Sequence, residues 1–351
     1  VKAAQIVEYG KPLQIRDLPE PAPGPDDAVL RVIASGICRS DWHAWMGDWG
    51  WLGGQIELPR TPGHELAGEV VAVGSAVRSV RVGDRVTVPF HEACGTCPQC
   101  RSGRANLCDN MRALGLSEDG GYAEYVRIPV ADFNCVQLPD EVTPLAASAI
   151  GCRFMTAFHA VTHQGQVRAG QWLAVHGAGG VGLSVVQIAS AAGANVVAVD
   201  IDPLKLALAE KQGAARTVLA TESTDVPAAV KDATGGGAHV SIDALGIRAT
   251  VVNSVRCLRK SGRHVQVGLT GSAEAGEVAL PIDAITTGEL TVVGSHGNPH
   301  SNYPALLSLV AAGRLTPESL VQRTVSLDRA TDVLGEMGTF RTTGLTVINR
   351  F

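Results

Sequence analysis

The chain of 351 residues is too long for one ordinary core and implies about two domains. It carries 29 basic and 34 acidic side chains, a formal net charge of −5, which argues against a nucleic-acid binder relying on an overall basic surface. Hydrophobic residues at 45% against 18% charged describe a packed interior, and no apolar run approaches the roughly 18 residues of a spanning helix. The N-terminal stretch lacks a signal-peptide core, so a soluble, cytoplasmic protein with no membrane partner is expected.

Residues 1–153 read as a first domain of short strands broken by turns. Ala28–Ala34 and Gly68–Val73 are β-branched runs bounded by Gly, Pro and Ser. Val86–Val88 follows a Gly83-Asp84 turn, and Tyr122–Ile128 alternates before Pro129. An antiparallel, β-rich domain is expected, interrupted over about 91–112 by a cysteine-rich lobe. Four of the eight cysteines, Cys94, Cys97, Cys100 and Cys108, fall in that lobe. A disulfide framework suits a small secreted chain, and this one is large and without an export signal. In a reducing cytosol the two-residue gaps read as four thiolates on one zinc ion, with Gly95, Pro98 and Gly103 permitting the turns. Four sulfurs leave no open coordination position, so this metal is structural.

Past Cys152 the rhythm becomes strand, helix, strand, and residues 154–294 read as a second domain. Trp172–Val175 is a buried strand, Gly182–Ala192 a helix and Asn195–Val199 the next strand. Asp202 caps a helix with Pro203 at its first position and Gly213 just past its end. Further strands are expected at Thr217–Leu219, His239–Ile242, Arg263–Val267 and Leu290–Val293. This alternation implies an α/β, doubly wound parallel sheet. Over 295–351 the pattern loosens into a helix around Pro304–Ala312 and strands at Val321–Val325 and Gly344–Val347, consistent with a return to the first domain.

Between the first strand and helix of the second domain stands Gly177-Ala178-Gly179-Gly180-Val181-Gly182. Alone, such a glycine pattern is weak. Here a strand precedes it, a helix follows it and Asp200 closes the next strand. Gly177 allows a tight turn, Gly179 a close backbone approach to a pyrophosphate, and Gly182 tight packing of helix on sheet. The helix N-terminus favours that pyrophosphate, while Asp200 can accept both ribose hydroxyls and repel a 2′-phosphate. Asp202 adds negative charge with only Lys205 nearby to offset it, so NAD is the expected cofactor. The bland alternative is an ordinary turn followed by a surface aspartate.

Cys38, the Gly63-His64-Glu65 step and Cys152 are dispersed, and singly each reads as a small buried residue or satisfied core imidazole. Together with the cysteine lobe and glycine loop, in type and order over essentially the whole chain, they resemble the zinc-dependent medium-chain alcohol dehydrogenases. The resemblance implies a GroES-like catalytic domain plus a Rossmann domain, with the catalytic domain completed by the C-terminal segment. It implies a catalytic zinc on Cys38, His64 and Cys152, with Glu65 behind the metal and able to replace an exchangeable water. That makes two zinc ions per chain. In Cys38-Arg39-Ser40-Asp41-Trp42-His43, the resemblance gives Arg39 the cofactor pyrophosphate and Ser40 the alcohol proton. It gives Asp41 support of a ligand, and His43 passage of the proton to solvent through the ribose. Gly268 and Leu269 fall where the family contacts cofactor; Trp49, Phe90 and Leu269 fall where it places pocket walls.

The activity so implied is interconversion of alcohols and aldehydes or ketones by hydride transfer to and from NAD, through a zinc-bound alkoxide. Compact microbial forms of the family are typically tetramers, so a homotetramer is expected, with a dimer as the other option. The stretch from His43 to Trp49 resembles the ethanol-active microbial enzymes. Trp42, Trp45 and Trp51 read equally as substrate wall or as loop packing. Cys135 and Cys257 match no motif and are expected to be buried thiols, and His91, His159, His163, His296 and His300 to be structural. Two alternatives stand beside the leading reading: the same fold acting on a ketone, polyol or amino-alcohol, and a non-catalytic zinc-lobe binding module.

Overall fold

The computed structural model describes residues 1–50, 56–339 and 342–351. The chain divides into two compact units, Val1–Met155 with Gly297–Phe351, and Thr156–His296. Among the described residues, no helix is long and apolar enough to cross a membrane.

The first unit is built on a seven-stranded mixed sheet. Its spatial order is Val321–Ser326, Leu345–Arg350, Ala28–Ile37, Glu65–Val73, Arg85–Thr87 and Val136–Gln137, with Tyr125–Ile128 also pairing with Ala28–Ile37. The last strand of the chain lies antiparallel to Ala28–Ile37, with Thr346 opposite Ile37. Leu30, Val32, Leu66, Val70, Val86, Val126 and Ile128 fill one face of the sheet, as the alternating β-branched pattern requires. The strand expected over Tyr122–Ile128 begins only at Tyr125. Upstream, the Gly121 and Tyr122 N–H groups donate to the Gly63 and Pro62 carbonyls, which turns Tyr122 into the interior, fully buried.

The second unit holds six parallel strands in the spatial order Arg216–Leu219, Asn195–Asp200, Trp172–His176, Ala238–Asp243, Leu258–Gln266 and Thr291–Gly294. Counted along the chain this is third, second, first, fourth, fifth, sixth, the order of dinucleotide-binding sheets. The strand order reverses beside Trp172–His176, which feeds the glycine loop and the helix Gly180–Ala191. Asp202 caps the helix Pro203–Lys211 by accepting from Leu204 N–H at 2.9 Å.

Candidate metal centres and active site

The cysteine lobe closes on itself. Cys97 Sγ lies 3.4 Å from Cys100 Sγ and 3.8 Å from Cys108 Sγ, and Cys108 Sγ is 3.5 Å from Cys94 Sγ. Backbone N–H groups point at the sulfurs: Cys97 at Cys94 Sγ (3.4 Å), Cys100 at Cys97 Sγ (3.5 Å), Cys94 and Asn110 at Cys108 Sγ (3.3 and 3.4 Å). Such donors favour thiolate, and hydrogen bonds led by the Thr96 backbone pull the Cys94 thiol down to about 5. Burial, with neighbouring sulfurs, instead pushes Cys100 up to about 12. Four sulfurs at van der Waals separation, unbonded to one another and ringed by N–H donors, fit a tetrahedral zinc.

Cys38, His64, Glu65 and Cys152 form the second cluster, their ligand atoms all within 4.8 Å of one another. Three elements deliver them. Cys38 is the N-cap of the helix Arg39–Met46, and Asp41, at the third helical position, reaches back to accept from Cys38 N–H at 2.8 Å. His64 directly precedes and Glu65 opens the strand Glu65–Val73, after Gly63, whose φ is +101° and where a Cβ would fall 2.4 Å from Tyr122 Cδ1. Cys152 sits in a π-helical turn, Ile150–Phe154, broken at Gly151.

Asp41 is the organising group. Fully buried, its carboxylate accepts from Cys38 N–H, Gly63 N–H (3.1 Å), His64 Nδ1 (2.9 Å) and Tyr122 O–H (3.0 Å). The bond to Nδ1 fixes the His64 tautomer and leaves Nε2 as the ligand atom. Burial disfavours the charged imidazole, but Asp41 and Cys38 outweigh it and hold His64 well above its ordinary range. The hydrogen bond from Cys152 holds Cys38 well below its own, against burial, while the same contact and burial push Cys152 up. A thiolate, a thiol and an imidazole around one point form a donor set that a dication completes by displacing protons.

Glu65 is bound on both oxygens. Oε1 accepts from Cys152 N–H (3.1 Å), Arg153 N–H (3.2 Å) and Arg153 Nε (2.9 Å), and Oε2 pairs with Arg153 Nη2. Gly36 and Gly151 pack so closely on Glu65 that a Cβ at either would overlap it. Burial raises the Glu65 carboxyl to about 7, with Arg153 opposing. Arg153 escaped the sequence reading; the only signal was an arginine directly after a candidate ligand.

Ser40 Oγ lies 3.9 Å from Cys38 Sγ. His43 Nδ1 is 2.7 Å from Asp48 Oδ2, and its ring stacks on Trp49 at 4.8 Å and 14°. Asp48 was also missed, because it sits beyond the end of the helix that carries His43. Arg39 lies over the Trp42 ring at 3.9 Å and donates to the Met337 carbonyl. Phe90 meets the His64 ring edge-on at 6.1 Å. Trp45 is core, its indole N–H donating to the Lys11 carbonyl, and Trp42 packs beside it under Arg39. Both make packing contacts within the first unit; Trp51 lies outside the described residues. Cys135 and Cys257 are buried thiols, and the His91 and His300 rings lie 5.3 Å apart at a 50° tilt.

In the second unit Gly177 has φ of +94°, and a Cβ on Gly182 would fall 1.7 Å from the Gly177 carbonyl oxygen. A Cβ on Gly179 would meet nothing within 4 Å, so the loop presents open backbone at the N-terminus of Gly180–Ala191. Asp200 Oδ2 accepts from Ala178 N–H at 2.7 Å and Oδ1 from Asp202 N–H at 3.0 Å, which fixes the carboxylate at the strand's carboxyl end with acceptor sites to spare. Val181 and Lys205 lie in the first turns of their helices. Leu269, half exposed, and Gly268 follow the strand Leu258–Gln266.

This fold and these clusters define a zinc-binding, dinucleotide-type dehydrogenase. Residues 24–140 match the alcohol dehydrogenase GroES-like domain, and residues 180–312 the zinc-binding dehydrogenase domain. An alcohol dehydrogenase of Geobacillus stearothermophilus is 34% identical, with 96% of each chain covered. An NAD-dependent alcohol dehydrogenase of Sulfurisphaera tokodaii is 32% identical, with 99% of each covered. A zinc-binding dehydrogenase from Sinorhizobium meliloti 1021, solved with NADP bound, superposes with a TM-score of 0.86 at 33% identity, covering 99% of this chain and 98% of that one. The chain belongs to the zinc-dependent medium-chain alcohol dehydrogenases.

Proposed function

We propose that this enzyme interconverts alcohols and aldehydes or ketones with NAD as hydride carrier, using one catalytic and one structural zinc per chain. The convergence of Cys38, His64 and Cys152, with Asp41 orienting His64, carries the reading. Zinc on those three ligands supplies a Lewis acid for the substrate oxygen, and NAD supplies the hydride acceptor. Ser40, whose Oγ lies beside Cys38 Sγ, would accept the proton of the substrate hydroxyl, and His43, anchored by Asp48 through Nδ1, would hold a proton on its remaining ring nitrogen. Arg153 keeps Glu65 engaged behind the site. Trp49 and Phe90 are the substrate-side walls within the first unit, while Cys94, Cys97, Cys100 and Cys108 hold the lobe together. Within the second unit, Gly177, Gly179, Gly180, Val181, Gly182, Gly268 and Leu269 receive the dinucleotide.

Asp200, held by Ala178 and Asp202 with no arginine beside it in sequence, supports NAD over NADP. The relative solved with NADP makes this a point to test. A strong NAD preference, relaxed by Asp200→Gly, is expected from kcat/KM with each cofactor; comparable values in the unmodified enzyme refute it. An NADH-formation screen over primary, secondary and polyhydric alcohols defines the substrate class, and absence of turnover on all of them sinks the reading. Self-association, as a homotetramer or a dimer, is supported by the edge strand Thr291–Gly294 and the helix Ile282–Gly288, where Ile282 is 63% exposed. Eight cysteines without a disulfide, six of them assigned to zinc, support a reducing, cytoplasmic setting.

A further inference from the structure

A continuous chain of hydrogen bonds runs through the interior of the second unit to its carboxyl-end loops. Ser254 Oγ is 2.9 Å from His264 Nδ1, and His264 Nε2 is 3.1 Å from Gln266 Oε1. Gln266 Nε2 donates to Asp243 Oδ2 at 2.7 Å and to the Gly268 carbonyl at 2.8 Å. Asp243, fully buried, also accepts from Gly246 N–H (2.8 Å) and Leu245 N–H (3.3 Å). Its own carbonyl receives Val267 and Gly268 N–H, both at 3.0 Å. The donors all point one way. Both protons of the Gln266 amide face acceptors, so its oxygen must meet a proton on His264 Nε2, and His264 Nδ1 then accepts from Ser254. Burial holds His264 below its ordinary range, consistent with a neutral ring.

Two loops are pinned by this arrangement, and they touch backbone to backbone. A Cβ on Gly246 would lie 2.2 Å from the Leu269 carbonyl oxygen, and one on Gly268 would lie 2.3 Å from Gly246 N. Leu245 in turn packs on the glycine loop, where a Cβ on Gly177 would sit 2.7 Å from Leu245 Cγ. The strand order adds a direction. Asp200 ends the strand on one side of Trp172–His176, while Asp243 and Gln266 end the two strands on the other. A dinucleotide whose pyrophosphate lies on the glycine loop and whose adenosine lies toward Asp200 must therefore extend its second nucleoside over Leu245–Gly246 and Gly268–Leu269.

We propose that Gln266 is a positioning residue for the nicotinamide half of the cofactor: by bridging Asp243 to the Gly268 carbonyl it joins the two loops into one preformed edge. The proposal rests on the reading that this unit binds a dinucleotide. Gln266 does not itself contact the reacting atoms, and its effect is to reduce the ordering that binding would otherwise require. A polar amide at this half-buried strand end gives Asp243 a side-chain donor beside the Leu245 and Gly246 N–H groups, which an apolar residue cannot do.

The test compares NADH with ADP-ribose, which lacks the nicotinamide, by calorimetric titration of the metal-replete full chain. In Gln266→Met the NADH Kd should rise about tenfold while the ADP-ribose Kd stays within about twofold. Gln266→Asn, polar but too short to bridge, should behave alike, and it decides the matter if the methionine variant does not fold. An unchanged NADH Kd, or equal weakening of both ligands, overturns the proposal. Failure of the unmodified protein to bind either ligand overturns the dinucleotide reading itself, before any substitution is made.

Discussion

Cys94, Cys97, Cys100 and Cys108 come from one short stretch of chain, whereas Cys38, His64 and Cys152 are delivered by a helix cap, a strand start and a π-helical turn. The local cluster is organised by its own backbone, whose N–H groups bond the sulfurs directly. The dispersed cluster is organised by a single side chain, Asp41, and by the Glu65–Arg153 pair. The difference lies in what the metal does for the fold. In the lobe, one 3-10 turn and a four-residue helix have little core of their own, so an ion held there would supply folding free energy. Around Asp41 the sheet and its buried side chains already hold the ligands, so the ion can be dedicated to chemistry.

The sharpest way to break this contrast is to remove one ligand from each cluster. Cys38→Ser or His64→Ala should cut turnover by roughly 10³-fold with little change in thermal midpoint, because the several kcal/mol of Lewis-acid stabilisation is lost while the sheet remains. Cys94→Ser should lose one zinc and lower the midpoint by on the order of 10 °C, with folded molecules still active. Metal analysis and thermal unfolding on the same preparations check both. A single zinc in fully active, undepleted enzyme would remove the distinction between the sites.

Asp41→Asn probes the dispersed cluster more finely. An amide offers one acceptor oxygen where four donors converge, and its NH₂ would face N–H or O–H groups. Zinc affinity should fall about 10–100-fold, read by chelator competition, with the lobe zinc retained. Loss of both metals together would mean that Asp41 supports the fold in general.

The same contrast explains what the sequence disclosed. The lobe was legible from spacing, because its ligands are neighbours in the chain and its geometry is local. The parallel sheet and the glycine loop were legible from alternation and from Asp200, again short-range signals. Cys38, His64 and Cys152 emerged only by resemblance, since no spacing rule brings a helix cap to a strand start. Arg153, Asp48 and the Ser254–His264–Gln266–Asp243 chain did not emerge at all. The Arg153 and Gln266 contacts are pairings between elements whose register is set by tertiary packing, while Asp48 meets His43 only because the chain turns back at the end of its helix. Tyr122 shows the cost of reading alternation alone: it was placed in a strand, and its hydroxyl instead closes the shell around Asp41.

The smallest effect concerns His43, which separates proton handling from metal handling within the dispersed site. Its Nδ1 is committed to Asp48, leaving Nε2 to accept a proton, and its ring is sandwiched between Trp49 and the edge of Trp42. Burial lowers its pKa below the free imidazole's 6.5, partly offset by the bond its ring N–H donates to Asp48. The ring is therefore neutral and able to accept at pH 7. The unfolded chain binds this proton more readily than the folded one, so His43 makes the fold less stable as pH falls below 6.5. His43→Gln should slow alcohol oxidation about tenfold near neutrality and abolish an acid limb of kcat/KM lying below 6.5, with partial rescue by imidazole buffer. It should also slightly reduce the acid sensitivity of unfolding, a change of opposite sign to the catalytic one. Asp48→Asn, which weakens the support for the charged ring, should shift that limb to lower pH with both zinc ions retained. A rate and pH profile unchanged in His43→Gln would make the histidine a packing residue of the tryptophan loop and send the Ser40 proton out by another route.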